Sequence, residues 1–112
     1  MSMYFAVIAH DRANTSELRT QLRPQHRAWL RDPGEHPVVV RLGGPLLDEH
    51  GVMNGTLLVV EAATEQAVRD FFSDDPYVRH QLFEHVQIQQ WLWGLGQPEQ
   101  KNQTSMQTVS GT

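Results

Sequence analysis

Short apolar runs along the chain predict the strands of a β-sheet. They cover residues 3–9, the valine-rich residues 37–42 and residues 55–61, and polar residues bound each of them. The run over residues 3–9 is continuous, which is typical of a strand that is covered on both faces. A further strand is predicted over residues 84–93, where apolar and polar positions alternate.

One-sided apolar positions predict a helical region over residues 14–32. Asn14 is predicted to cap it, because Glu17 follows three positions later as in a capping box. Pro24 interrupts the pattern, and proline fits best in the first turn of a helix. The sequence therefore predicts a break near Arg23 and a second helical segment over residues 24–31.

The second half of the chain predicts another helix between turn signals. Gly43-Gly44-Pro45 is predicted to be a turn, and residues 46–54 a loop. Thr64 is predicted to cap a helix over residues 65–73, followed by a short helical turn over residues 77–83. The resulting order, β-α-β-β-α-β, predicts an α+β, ferredoxin-like fold with one antiparallel sheet and both helices on one face.

The sheet face away from the helices is also predicted to be apolar. The runs over residues 3–9 and 57–60 place apolar side chains on both sides of their strands. Water penalises such a face, so a homodimer that packs sheet on sheet is expected. In the last strand Trp91 and Trp93 are predicted to lie on the same side of the strand as Gln87 and Gln89. Three explanations of these tryptophans remain open. A bulge could shift the alternation, the tryptophans could form a second interface, or they could cap the monomer core.

Length and composition place one domain over residues 1–96 and a tail over residues 97–112. The chain has 112 residues, enough for a single hydrophobic core. Residues 97–112 are dominated by Gln, Ser, Thr and Asn, and only Met106 and Val109 are clearly apolar. A segment with so little apolar surface is predicted to be flexible.

Charge and residue usage exclude several classes of protein. The net charge is −4 and no basic cluster is visible, which argues against a nucleic-acid or anionic-membrane surface. Cysteine is absent, so disulfides, thiolate metal sites and thiol nucleophiles are excluded. No apolar run reaches the roughly 20 residues of a membrane span. No basic region precedes the apolar start, so a cytoplasmic location is expected.

Six histidines are unusual in a chain without cysteine, but their spacing does not predict a metal site. None are four apart on one predicted helix, and zinc without cysteine needs three or four converging ligands. His50 follows Asp48 and Glu49 in a predicted loop, where neighbouring side chains are expected to face solvent. The sequence therefore predicts no metal and no cofactor.

His26 and Asp75 are the best candidates for chemistry. His26 lies between Arg23 and Arg27, and a neutral imidazole can act as a general base. Pro76 biases Asp75 to an extended backbone. If the two side chains meet, they form the base and orienting carboxylate of an acid–base site. The plainer alternatives are a surface histidine and a helix stop. No serine is an evident nucleophile.

The order and spacing of several short motifs resemble the YciI-like (YCII-related) family over residues 3–96. No single motif is strong, but the set together is fairly specific. The motifs are Arg23-Pro24-x-His26, Gly44-Pro45-Leu46, Gly55-Thr56-Leu57-Leu58, Asp74-Asp75-Pro76-Tyr77, Leu82-Phe83-Glu84 and Ile88-x-x-Trp91.

The resemblance implies a ferredoxin-like fold of the dimeric α+β barrel type, packed as a homodimer through its sheets. It also implies an active site built on His26 and Asp75, with Gly44 and Pro45 near the same pocket. One branch of the family is associated with dehydrohalogenation of chlorinated hydroxyquinol-type rings. Where the family commonly has a small residue and glycine, this chain has His80-Gln81.

Two functional classes remain open from the sequence. The first is a small enzyme that uses His26 and Asp75 on a small cyclic substrate, by elimination, isomerisation or hydrolysis. Arg23 and His80 are expected to bind ligand beside this pair, and backbone amides near Gly44 to hold a developing oxyanion. The second is a non-catalytic dimeric module that binds a small ligand or a partner. A purely structural dimer ranks below both.

Overall fold

The sheet and helices follow the predicted chain order. A computed structural model of the chain describes residues 2–97. Its elements are β1 (Met3–Asp11), α1 (Ser16–Arg31), β2 (Val38–Leu47), β3 (Met53–Ala62), α2 (Glu65–Ser73), α3 (Pro76–Arg79) and β4 (Phe83–Trp91). The predicted tail, residues 97–112, lies outside the described residues except for Gln97.

The strands form one antiparallel sheet in the order β2-β3-β1-β4. One face carries the core, because Phe5, Val7 and Ala9 alternate along β1 and are buried. They lie opposite Val60, Leu58 and Thr56 of β3 in the same register. α2 covers this core with Val68, Phe71 and Phe72. The predicted ferredoxin-like α+β class is confirmed.

Thr64 begins α2 as predicted, whereas the predicted cap of α1 is wrong. The Thr64 hydroxyl accepts a hydrogen bond from the Ala67 N–H at 3.1 Å. At α1 the N-cap is Thr15, and its hydroxyl donates to the Arg12 carbonyl instead of capping the helix. Asn14 precedes it with a φ of 62°, a left-handed conformation that asparagine tolerates.

The predicted break at Pro24 does not occur, and α1 is one continuous helix. Pro24 lies on the exposed side, where the carbonyl that loses its hydrogen bond can bind water. Leu22 and His26 are buried on either side of it, so packing holds the helix together across the proline. His26 is therefore in the middle of a helix, not in its first turn.

The predicted turn at Gly43-Gly44-Pro45 is also wrong, because these residues continue β2. β2 is an edge strand, the place in a sheet where proline is tolerated. A bulge at Arg41 shifts the register between Val40 and Leu42. Beyond the bulge, a Cβ on Gly43 would lie 2.9 Å from Leu58 Cδ2, so glycine permits the close approach of β2 to β3.

The second face of the sheet is called the open face, because no helix of the described chain covers it. Its β4 residues pair with β1 in unbroken register from Trp91 to His85, so no bulge shifts their phase. Trp91 therefore lies on the open face, while Trp93 follows the strand and is buried against Tyr4. Apolar side chains on this face are Ile8, Leu42, Leu57, Val59 and Trp91.

Candidate functional site

A cavity of about 610 Å³ lies between α1 and the edge strand β2. α1 contributes a row of polar side chains that includes His26, and β2 contributes the floor. Gly43 and Gly44 form part of that floor and carry no side chains to fill it. The size is that of a site for a small organic molecule.

His26 lines this cavity and contacts the buried Asp75. His26 Nδ1 lies 3.0 Å from Asp75 Oδ1 and 2.9 Å from Oδ2. The His26 side chain is 7% exposed and that of Asp75 is fully buried. Because the ionised carboxylate only accepts, Nδ1 carries the proton of the neutral ring. Nε2 then holds a lone pair, and it has no hydrogen-bond partner within residues 2–97.

The chain around Pro76 fixes the direction of Asp75. Asp75 is the N-cap of α3, with the extended backbone (φ −62°, ψ 134°) that a following proline favours. Its Oδ1 also accepts the Tyr77 N–H at 2.9 Å. The carboxylate is therefore oriented by its own helix cap while it binds His26, a preorganised arrangement.

Tyr77 packs against the other side of the His26 ring. The two rings stack with centroids 4.0 Å apart and planes inclined by 17°. Burial raises the pKa of the Tyr77 hydroxyl above its ordinary value of 10.0, so the phenol stays protonated. Tyr77 and Asp75 together leave the imidazole little rotational freedom.

Arg19 supports this arrangement from the buried side of α1. Its guanidinium lies over the Tyr77 ring, 4.7 Å from the centroid. It donates to both oxygens of Asp11, at 2.7 and 2.9 Å, and to the Thr56 hydroxyl at 2.8 Å. The charge of Arg19 is thus neutralised by Asp11.

The structure places the remaining predicted ligand residues differently. Arg23, Gly44 and Pro45 line the cavity with His26, as expected for residues that contact a ligand. His80 does not line it: its Nδ1–H donates to the Pro76 carbonyl at 2.9 Å, and the side chain is exposed. His80 also makes no hydrogen bond to Asp75, so it does not compete with His26.

Arg19, Thr56 and Tyr77 belong to the site but were not singled out from the sequence. Tyr77 and Thr56 fall inside motifs that carry the family resemblance, and that was the available signal. The sequence contains no such signal for Arg19, because a single arginine on a helix is ordinarily exposed to solvent. Its burial depends on Asp11, which precedes it by eight residues.

A second histidine–carboxylate pair lies outside the cavity. His36 Nε2 is 2.8 Å from Asp74 Oδ2, and the hydrogen bond from His36 is the main cause that lowers the pKa of Asp74. The His36 ring packs edge-on against Trp29 and Phe71. Within residues 2–97, no group of three or more His, Asp or Glu side chains could hold a metal ion. No helix there is long and apolar enough to cross a membrane.

Comparison with known proteins shows the family of this chain. The model of the YCII-related domain matches residues 3–92. An uncharacterized protein from Haemophilus influenzae is 28% identical over 89 residues, which cover 75% of this chain and 91% of that protein. Protein YciI from Escherichia coli is 26% identical over 91 residues, or 77% of this chain and 93% of that protein.

A solved enzyme structure is similar over most of the fold. It is the 5-chloro-2-hydroxyhydroquinone dehydrochlorinase from Burkholderia phenoliruptrix in complex with 2,5-dihydroxybenzoquinone. The sequence identity is 27% and the TM-score 0.70, and the match covers 82% of this chain and 96% of that one.

Proposed function

This chain belongs to the YCII-related domain family, and we propose that it is a small-molecule enzyme in which His26 is the general base and Asp75 orients it. The observation that carries the proposal is the buried hydrogen bond of 2.9 Å between His26 Nδ1 and Asp75. It leaves the lone pair of Nε2 available in the wall of a cavity.

Asp75 serves two purposes in this proposal. It selects the tautomer whose Nε2 accepts a proton, and it stabilises the imidazolium that then forms. Tyr77 holds the ring from its stacked side. No serine is among the described residues that line the cavity, and proton transfer by His26 is the chemistry that this proposal assigns.

The proposed reaction class is elimination from a small hydroxylated ring. His26 Nε2 accepts a proton from the substrate, and the electron pair left behind expels the leaving group, a halide, with the electrons of its bond. The net loss is one hydrogen halide, so the step needs no oxidant or reductant. The similar enzyme from Burkholderia phenoliruptrix supports this class, because its name states a dehydrochlorination of a hydroxylated ring.

Halide release from halogenated hydroxyhydroquinones tests the proposal directly. The purified wild type and the variants His26→Gln and Asp75→Asn are each incubated with chlorinated and brominated rings. The free halide that each protein releases is then measured. We expect release by the wild type, and a loss of about 10²–10⁴-fold in kcat/KM with His26→Gln. Thr20→Ala, on the exposed side of α1, is the matched control.

The same experiment separates the enzyme from a binding module. Saturable binding of these rings without halide release, in wild type and His26→Gln alike, would favour the alternative of a ligand-binding protein. Halide release that is equal in the wild type and in His26→Gln would contradict the role of His26.

The open face supports the further proposal that the protein is a homodimer. Leu57 lies at the centre of that face and is 41% exposed, with Ile8 beside it on β1 and Val59 two positions along β3. A second copy packed sheet on sheet would remove this surface from water. We expect Leu57→Glu to shift sedimentation from dimer to monomer. Val86→Glu, 45% exposed on the helix side of the sheet, is the control. A monomeric wild type would contradict the proposal.

A further inference from the structure

Arginines form a row along the cavity side of α1. Arg19, Arg23, Arg27 and Arg31 recur at every fourth position, and all of them line the cavity. Residues four apart lie one above another on a helix, so the row spans roughly 18 Å along the axis. Arg41 of β2 faces the row from across the cavity.

The cavity is positive although the protein is negative. The net charge of the chain is −4, yet none of the described residues that line the cavity is Asp or Glu. Two arginines of the cavity have carboxylate partners, Arg19 with Asp11 and Arg41 with Glu61. Outside the cavity, Arg69 binds Glu65 and Arg79 approaches Asp74. Within residues 2–97, Arg23 and Arg27 have no carboxylate partner. Two neighbouring guanidinium groups at the cavity therefore lack a counter-charge from the protein.

This row costs the helix stability. Like charges four residues apart repel one another, and Arg23, Arg27 and Arg31 form two such pairs. The helix dipole favours Arg31, in the last turn, but not Arg23 in the middle of α1. A local arrangement that opposes stability points to a use for the charges.

We propose that the cavity binds a ring compound that carries a carboxylate, held by Arg23 and Arg27, with its ring beside His26. A guanidinium binds a carboxylate through a planar pair of hydrogen bonds, and is weakly hydrated, so two unneutralised arginines favour this group. His26 lies between them in sequence and lines the same wall. The position of the ring rests on the proposed function, whereas the acid specificity rests on the arginines alone.

Matched ligands test the acid specificity without turnover. Isothermal titration calorimetry compares 2,5-dihydroxybenzoate with 2,5-dihydroxybenzamide, which differ by the charge of one group. We expect the benzoate to bind the wild type at least about tenfold more tightly, and added salt to narrow the difference. Arg23→Gln and Arg27→Gln should each weaken the benzoate about tenfold while leaving the benzamide unchanged. Arg69→Gln, on α2, is the control.

A second readout distinguishes a ligand-binding arginine from a structural one. Without ligand, we expect Arg27→Gln to unfold at the same temperature as the wild type or at a higher one, because the substitution removes like-charge repulsion. An arginine that holds the fold together would lower the unfolding temperature instead. Arg27 is exposed, so its substitution leaves the core intact.

Failure of this inference and failure of the proposed function give different results. Equal affinity for benzoate and benzamide, or no benzoate binding at millimolar concentration, would overturn the acid specificity. Binding is repeated in His26→Gln, which should keep the preference for the benzoate. Unchanged halide release in His26→Gln would instead remove the proposed base and leave the acid specificity standing.

Discussion

Two adjacent carboxylates, Asp74 and Asp75, each contact a histidine, but the two pairs lie in different surroundings. In the inner pair, His26 lines the cavity and the Asp75 carboxylate is 0% exposed. The outer pair, His36–Asp74, lies outside the cavity, and its carboxylate is 42% exposed. The two pairs thus make the same kind of contact but differ in burial and in access to a cavity, and on that difference we base the proposed role of the inner pair.

One proline separates the two carboxylates. Asp74 ends α2 with a helical backbone (φ −94°, ψ −1°), whereas Asp75 before Pro76 is extended and begins α3. This change of backbone directs one side chain outward and the next inward. Asp74 then contacts His36, which lies before β2, and Asp75 contacts His26 within α1.

The largest expected difference between the pairs is in activity. We expect His26→Asn to lower kcat/KM for halide release by about 10²–10⁴-fold, because the proton acceptor is removed. His36→Asn should leave kcat/KM within about twofold, because His36 contacts no residue of the inner pair and lies outside the cavity. Steady-state kinetics of both variants measure the ratio.

Folding must be checked beside these kinetics. Circular dichroism of each variant gives the fraction that is folded at the assay temperature. If both variants are folded and lose activity to the same extent, the proposed catalytic difference between the inner and the outer pair is contradicted.

A smaller difference is expected in stability. Asp75→Ala leaves two buried donors without a partner, the His26 Nδ1–H and the Tyr77 N–H. We expect it to lower the free energy of unfolding by about 2–4 kcal/mol. Asp74→Ala should cost clearly less, because water replaces the lost contacts of an exposed carboxylate. Urea denaturation measures both, and equal losses would contradict the comparison.

Much of the fold follows from patterns that the sequence displays. Continuous apolar runs predicted β1 and β3, and the stripe after Thr64 predicted α2 with its cap. The resemblance singled out His26 and Asp75, and the structure brings them together; their catalytic role stays a prediction. Such features depend on neighbouring residues, or on motifs shared with relatives, so they can be recognised in a single sequence.

Other features depend on packing that a local pattern does not contain. Pro24 predicts a break by itself, but buried Leu22 and His26 keep α1 continuous. The two glycines of β2 have the composition of a turn, but pairing with β3 keeps them extended. Arg19 is buried only because the fold brings Asp11 and Thr56 to it.

The proton positions on the two imidazoles provide a more direct test that needs no substrate. His26 meets its carboxylate through Nδ1, and His36 meets its own through Nε2. We therefore expect opposite neutral tautomers, with the proton on Nδ1 of His26 and on Nε2 of His36. Long-range ¹H–¹⁵N correlation spectra of the neutral rings identify the protonated nitrogen. The same tautomer for both rings would contradict the geometry of one pair.

The smallest expected effect is the acid dependence of the outer pair. The hydrogen bond from His36 is the main cause that holds the pKa of Asp74 below its ordinary value of 3.8. Because the folded-state pKa is the lower one, the pair stabilises the fold above that ordinary value, and the stabilisation is lost as the pH falls through the folded-state pKa. Asp74→Asn should therefore be slightly less stable than the wild type near neutral pH, with the gap closing in acid. Urea titrations along a pH series measure the gap, and salt should narrow it, because the carboxylate is largely exposed. A gap that stays constant into strong acid would show that Asp74 acts by packing and not by charge.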